Sequence, residues 1–171
     1  MIITCARHLE PETEQEMRDI LEEMGDLKPS IAITNMSGIL TAKTTLEPLE
    51  VVRKIREKVM DEPWSIRYCL RIIPIQKITE TNIDAIEKEI SNMVDLISRG
   101  ESYKISIEKR NSDIISQDLI SKIAKNIKNK VSLEFPDKIV LIEILGNKTG
   151  LAIVRRSDIL SVEKTKRAMS E

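Results

Sequence analysis

The sequence predicts an α+β protein made of two successive α/β units. Three observations lead there. The first 75 residues alternate strand and helix patterns in the order β-α-β-β-α-β. The stretch from Tyr103 to Arg156 reads strand, helix, buried strand, hairpin, strand, with cations at the element ends. Composition is that of a folded globular chain, 41% hydrophobic and 32% charged over 171 residues.

Met1 to Arg7 is a short apolar run suited to a first strand. Pro11 then opens a helix, with Glu10, Glu12 and Glu14 at its positive end. Met17, Ile20, Leu21 and Met24 repeat at helical spacing, and Gly25 supplies a stop. Ile31–Thr34 and Ile39–Ala42 flank Asn35-Met36-Ser37-Gly38, a hairpin signature. Pro48 sits in the first turn of a second helix carrying Val52, Ile55 and Val59. Ile66, Tyr68, Leu70 and Ile72 alternate as a last strand, whose other face carries Arg67, Cys69 and Arg71. This order is the ferredoxin-like pattern, with helices on one sheet face only.

Pro74 ends that strand, and Ile75–Glu80 reads as a short linker. Ile83, Ile86, Ile90, Val94 and Ile97 then step by three and four on a helix closed by Gly100. Tyr103, Ile105 and Ile107 alternate on a strand. Leu119, Ile120, Ile123, Ala124 and Ile127 form the next helix face, and Phe135-Pro136-Asp137 is a turn. Ile139–Leu145 is almost continuously apolar, which predicts a central strand. Residues 146–150 turn it back into Leu151–Val154. The expected division is residues 1–75, residues 76–161, and a polar, frayed tail over 162–171.

No apolar run approaches the roughly 18 residues a spanning helix needs. Met1–Arg7 lacks the form of a secretory signal, and two cysteines suit a reducing compartment, so a cytoplasmic protein is expected. Charge is uneven. Up to Gly100 there are 13 Lys and Arg against 18 Asp and Glu; from Glu101 onward there are 14 against 10. The second half thus carries the cationic excess. Aromatic residues are confined to Trp64, Tyr68, Tyr103 and Phe135. A base-stacking sheet has little to work with, so nucleic acid would be held through phosphates, shape and backbone groups.

Reaction chemistry is sparse. The single histidine, His8, finds no serine or cysteine partner in a triad-like arrangement, so no catalytic residue is assigned. Cys5 and Cys69 fall on strands that a ferredoxin-like sheet places side by side. Two sulfurs do not make a zinc site, so free thiols and no metal are expected. Neither phosphate-loop nor dinucleotide fingerprint occurs, and no cofactor is assigned. The candidate binding groups are cations: Lys109 and Arg110 at one strand end, Arg155 and Arg156 at another, and Lys148 in the hairpin. Arg67 and Arg71 form a second patch. Lys122, Lys125 and Lys128 read as the solvated polar side of a helix.

The segments Tyr103–Arg110, Ile120–Ala124, Val131–Asp137, Ile139–Glu143 and Gly150–Val154, in this order and spacing, resemble a THUMP domain. The resemblance covers roughly Ile83–Ser157, with the ferredoxin-like unit as its usual companion. It implies a mixed central sheet with helices, and tRNA as ligand. Arg71-Ile72-Ile73-Pro74-Ile75 resembles the stand-alone THUMP proteins that assist cytidine acetylation of tRNA. That implies an adapter without enzymatic activity of its own, which presents tRNA to a separate modifying enzyme, an acetyltransferase; no DNA and no membrane partner is expected. Three alternatives stay open. One is an adapter for tRNA methylation or thiolation. Another is a regulatory or metabolite-binding ferredoxin-like protein that binds no RNA. The last is an enzyme built around His8 or Cys69.

Overall fold

The computed structural model describes residues 1–169. The chain divides into two compact units: Met1–Pro74 together with the chain from Ser157 onward, and Ile75–Arg156.

In the first unit, β1 (Ile2–Cys5), α1 (Glu10–Glu23), β2 (Ser30–Ile33), β3 (Ile39–Lys43), α2 (Pro48–Asp61) and β4 (Cys69–Ile73) follow the expected order. Their sheet runs β2-β3-β1-β4, all antiparallel, as a ferredoxin-like split pattern requires. Both helices place proline in the first turn. The Glu47 carboxylate caps α2 by accepting the Glu50 N–H at 2.8 Å. Met17 and Leu21 from α1 and Val52, Ile55 and Val59 from α2 meet Ile3, Leu40 and Ile72 of the sheet. The two loops at one end of this core are tied by buried Asp26. It accepts from Thr44 Oγ1 at 2.5 Å, from the Thr45 N–H at 3.0 Å and from the Lys28 N–H at 3.2 Å. Chiefly through the Thr44 bond, its carboxyl is held below the usual aspartate range.

The hairpin residue Gly38 has φ +75°, and its carbonyl accepts the Cys5 N–H at 3.0 Å. A Cβ there would lie 2.7 Å from the Cys5 oxygen, so only glycine fits.

The tail expectation is corrected. Leu160–Ser161 form β9, which extends the sheet beyond β4, and Val162–Ala168 form α5. Leu160 and Val162 are buried in the core, and Lys166 Nζ donates to the Ile66 carbonyl at 2.6 Å. Two apolar residues anchor this polar segment, too few to show a period. The last two expected tail residues, 170 and 171, lie outside the described residues.

The alternation expected along the fourth strand also fails in part. The register slips between Thr4 and Cys5, leaving Leu70 without a partner opposite Arg71 and Cys69. This bulge resets the phase: Cys69 enters the core while Leu70 is 43% exposed. Just before it, the Glu16 carboxylate accepts the successive N–H groups of Arg67, Tyr68 and Cys69.

The second unit holds β5 (Lys77–Glu80), α3 (Ile83–Ser91), β6 (Tyr103–Arg110), α4 (Ser116–Ala124), β7 (Lys138–Leu145) and β8 (Lys148–Val154). The sheet order is β5-β8-β7-β6, with β6 and β7 parallel and the other pairs antiparallel. β7 is central and buried from Ile139 to Ile144, as its apolar run predicts. Ile86 and Ile90 of α3 and Leu119 and Ile123 of α4 cover Val140, Ile142, Ile144, Leu151 and Ile153.

The stretch expected to be a linker is partly the edge strand β5. It has no alternating burial, and Ile78 is 64% exposed, which is why no period revealed it. Both helices are shorter than their apolar spacing suggests. After Ser91 the backbone tightens into i→i−3 bonds that carry Met93 and Ile97 into the core. After Ala124, Asn126 and Ile127 do the same, so Ile127 is buried beyond the end of its helix.

Candidate nucleic-acid interface

The parallel pair β6–β7 sets the geometry of the cations. Its register places Arg110 beside Leu145, and β7–β8 pairing places Leu145 beside Lys148. Lys109, Arg110 and Lys148 therefore share one end of the sheet. Ile139 pairs with Val154, so Arg155 and Arg156 emerge at the opposite end, near the starts of β6 and β7. The seven residues of β8 separate the two groups by about 20 Å. Sequence spacing alone does not reveal this split.

The two ends differ in how their charges are used. At the first, Arg110 Nη1 pairs with Glu143 Oε2 at 3.3 Å; the Glu143 side chain is 2% exposed, that of Arg110 33%. Lys148 pairs with Glu80 across β5–β8. Lys109 Nζ folds over the following loop to donate to the Ile114 carbonyl at 2.7 Å. Intramolecular partners thus engage all three groups.

At the second end, Arg155 and Arg156 are exposed. Arg156 Nη2 donates to the Glu134 carbonyl at 3.1 Å, and among the described residues it forms no ion pair. Asp137 stands near Arg155. Its Oδ2 accepts the Ser102 N–H at 2.8 Å and the Ser102 hydroxyl at 2.9 Å. These bonds, and secondarily Arg155, hold the Asp137 carboxyl below its ordinary range. Chain tracing brings further cations here. α3 and α4 both run back toward this end, so the segments 92–102 and 125–137 close over it together. Tyr103 receives the returning chain: its N–H donates to the Lys130 carbonyl and its own carbonyl accepts the Ser132 N–H, each at 2.9 Å. Lys104, Lys130 and Lys138 thereby join Arg155 and Arg156. Sequence reading missed these three because each sits singly between apolar or polar neighbours.

In the first unit, Arg67 and Arg71 are exposed, with Arg71 on β4 paired to Thr4 and Ser161. His8 is exposed at φ +70°, directly after β1. Cys5 and Cys69 are register partners, as the fold predicts, and both are free and buried. Burial pushes both thiols up, which keeps them protonated and poorly nucleophilic. Among the described residues, no group of three His, Cys, Asp or Glu is placed to hold a metal, and no helix is long and apolar enough to cross a membrane.

The parallel β6–α4–β7 crossover, the β7–β8 hairpin and the edge strand β5 span Lys77–Val154. Residues 80–154 match the family model for the THUMP domain. The matched segment thus lies within the second unit. Across a wider span, the chain is 28% identical over 126 residues to MJ0421 of Methanocaldococcus jannaschii, covering 71% of this chain and 35% of that protein. PH1313 from Pyrococcus horikoshii superposes with a TM-score of 0.69 at 14% identity, over 90% of this chain and 54% of that one. A possible methylase from Clostridium difficile 630 does so with a TM-score of 0.55 at 19% identity, over 89% of this chain and 40% of that one. Both superpositions show a shared fold extending through the two units. The chain spans about a third of the length of MJ0421 and about half that of PH1313.

Proposed function

We propose that this chain grips tRNA and presents it to a separate enzyme, with cytidine acetylation as the reaction served. A THUMP segment implies RNA binding in tRNA modification, and the match at residues 80–154 is the observation that carries the reading. The cations at the β6 and β7 starts supply the phosphate contacts: Arg155 and Arg156 first, with Lys104, Lys130 and Lys138 around them. Guanidinium groups suit the paired oxygens of a phosphate, and the scarcity of aromatic side chains leaves backbone contact as the main mode of grip. Arg67 and Arg71 form the second patch. Lys109, Arg110 and Lys148 form a separate cationic group at the opposite end of the sheet. In this reading the chain holds substrate and the transfer step belongs to another polypeptide. The acetylation assignment rests on the resemblance of Arg71–Ile75 to stand-alone adapters.

A tRNA titration at several salt concentrations tests the grip. Neutralising Arg155 and Arg156 together lowers affinity and flattens the log-log salt slope by about 2, since each duplex phosphate contact contributes about 0.9. An unchanged slope removes both residues from the site. Co-purification names the reaction through the enzyme that accompanies the chain. A methyltransferase there supports a second reading, methylation, which the fold shared with the Clostridium difficile methylase favours.

A further inference from the structure

The run from Leu119 to Leu133 carries Lys122, Lys125, Lys128 and Lys130 and no acidic residue. As a continuous helix, its lysines would be an ordinary solvated face. The structure divides them. Only Lys122 lies within α4, and it is ion-paired to Asp84. Lys125, Lys128 and Lys130 follow the helix end, are exposed, and form no ion pair among the described residues.

That post-helix loop is fastened to another. Asn129 Nδ2 donates to the Ser98 carbonyl and to the Glu101 carbonyl, each at 2.9 Å. The receiving loop is itself a closed turn. Glu101 N–H donates to the Ser98 carbonyl at 3.0 Å, and Glu101 Oε2 accepts the Ser98 N–H at 2.8 Å. Gly100 takes φ +89° in this turn. The exposed Arg99 is thereby presented beside Lys128. Between the two loops lies an open cleft of about 510 Å³ lined by Arg99, Lys128, Asn126, Asn129 and one carboxylate, Asp95, over a floor of Val94, Ile97 and Ile127. Glu101 keeps its carboxylate on the turn backbone.

We propose that this stapled cleft is a phosphodiester-binding subsite, with Arg99 and Lys128 lining it, Lys125 adjoining it at the end of α4, and an RNA backbone as its ligand. The inference rests on the tRNA-binding reading and extends it to a location that neither sequence spacing nor the THUMP match assigns. Two features distinguish the cleft from a merely charged surface. Among the described residues its cations form no ion pair, whereas Arg110 and Lys148 do. Its loops are held by side-chain-to-backbone bonds, so its cations converge without an ordering step at the moment of binding. The cleft also lies at the same end of the sheet as Arg155 and Arg156, so one backbone can follow both.

The test uses the full chain and tRNA in a salt-series titration. Arg99→Gln, Lys125→Gln and Lys128→Gln together lower affinity at least about tenfold at low salt and flatten the slope by about 2 to 3. The control removes the same charge from ion-paired sites, through Arg53→Gln, Lys58→Gln and Arg167→Gln. It changes the slope by less than about 1. Asn129→Ala keeps every cation but frees the loops, and it weakens binding at all salt concentrations. If the unsubstituted chain binds tRNA and the triple cleft variant binds equally, or no worse than the control, the cleft is overturned while the tRNA reading stands. If the unsubstituted chain does not bind tRNA, both fall.

Discussion

Replacing Arg110 with methionine separates a structural cation from a ligand-binding one. The substitution keeps most of the aliphatic stem and removes the guanidinium that faces Glu143 at 3.3 Å. Glu143 lies on the central strand with a side chain only 2% exposed, so its charge has little water to fall back on. Removing one partner of a buried pair costs about 3–5 kcal/mol. Arg110 is a third exposed and the contact is long, so solvent screening brings the expected loss down to about 2–3 kcal/mol. With a urea dependence of about 1 kcal/mol per molar for a unit of this size, the unfolding midpoint of the second unit falls by about 2–3 M. Urea titration of the full chain, followed by far-UV circular dichroism, reads that shift. Adding Glu143→Gln to Arg110→Met removes the buried carboxylate charge and recovers part of the loss. Unchanged stability in Arg110→Met, together with weakened tRNA binding, refutes the reasoning and returns Arg110 to the ligand-facing surface.

Other outcomes follow from the first unit. Gly38→Ala costs at least about 1–2 kcal/mol for the left-handed backbone alone, with the clash on Cys5 oxygen in addition. Gly25→Ala, also at positive φ but with open space around it, costs less; thermal melts compare them. Thr44→Val removes the main donor to Asp26. The lowered Asp26 pKa means that the ionised form stabilises the fold above the ordinary aspartate range and stops doing so as pH falls through its depressed value. The stability gap between Thr44→Val and the unsubstituted chain is therefore widest at neutral pH and closes in acid, as denaturant titrations across pH measure. Cys5 and Cys69, buried with raised thiol pKa values, resist iodoacetamide in the native chain and react once it is unfolded; mass spectrometry that finds prompt native labelling contradicts their placement.

Much of the fold was legible because its core elements obey strong periods. Met17, Ile20 and Leu21 mark α1, Val52, Ile55 and Val59 mark α2, and the apolar run of β7 announces a central strand. The elements that escaped lack such a period. β5 is a polar edge strand, and β9 with α5 hold on through Leu160 and Val162. The β4 bulge escaped because one unpartnered residue, Leu70, inverts a pattern that reads cleanly in one dimension. The candidate site was legible only as residue types. Pairing of Arg110 with Glu143 and of Lys148 with Glu80, 33 and 68 residues apart, is set by sheet register and leaves no local trace. Convergence of Arg99 with Lys128 depends in the same way on the Asn129 bonds.

We propose that this chain brings tRNA to an enzyme that acetylates cytidine. Mapping modified nucleosides in tRNA from cells that lack the protein tests it most directly. Selective loss of acetylcytidine with other modifications intact is expected, restored by the unsubstituted chain and not by the Arg155→Gln, Arg156→Gln variant. Acetylcytidine at its normal level in those cells contradicts it.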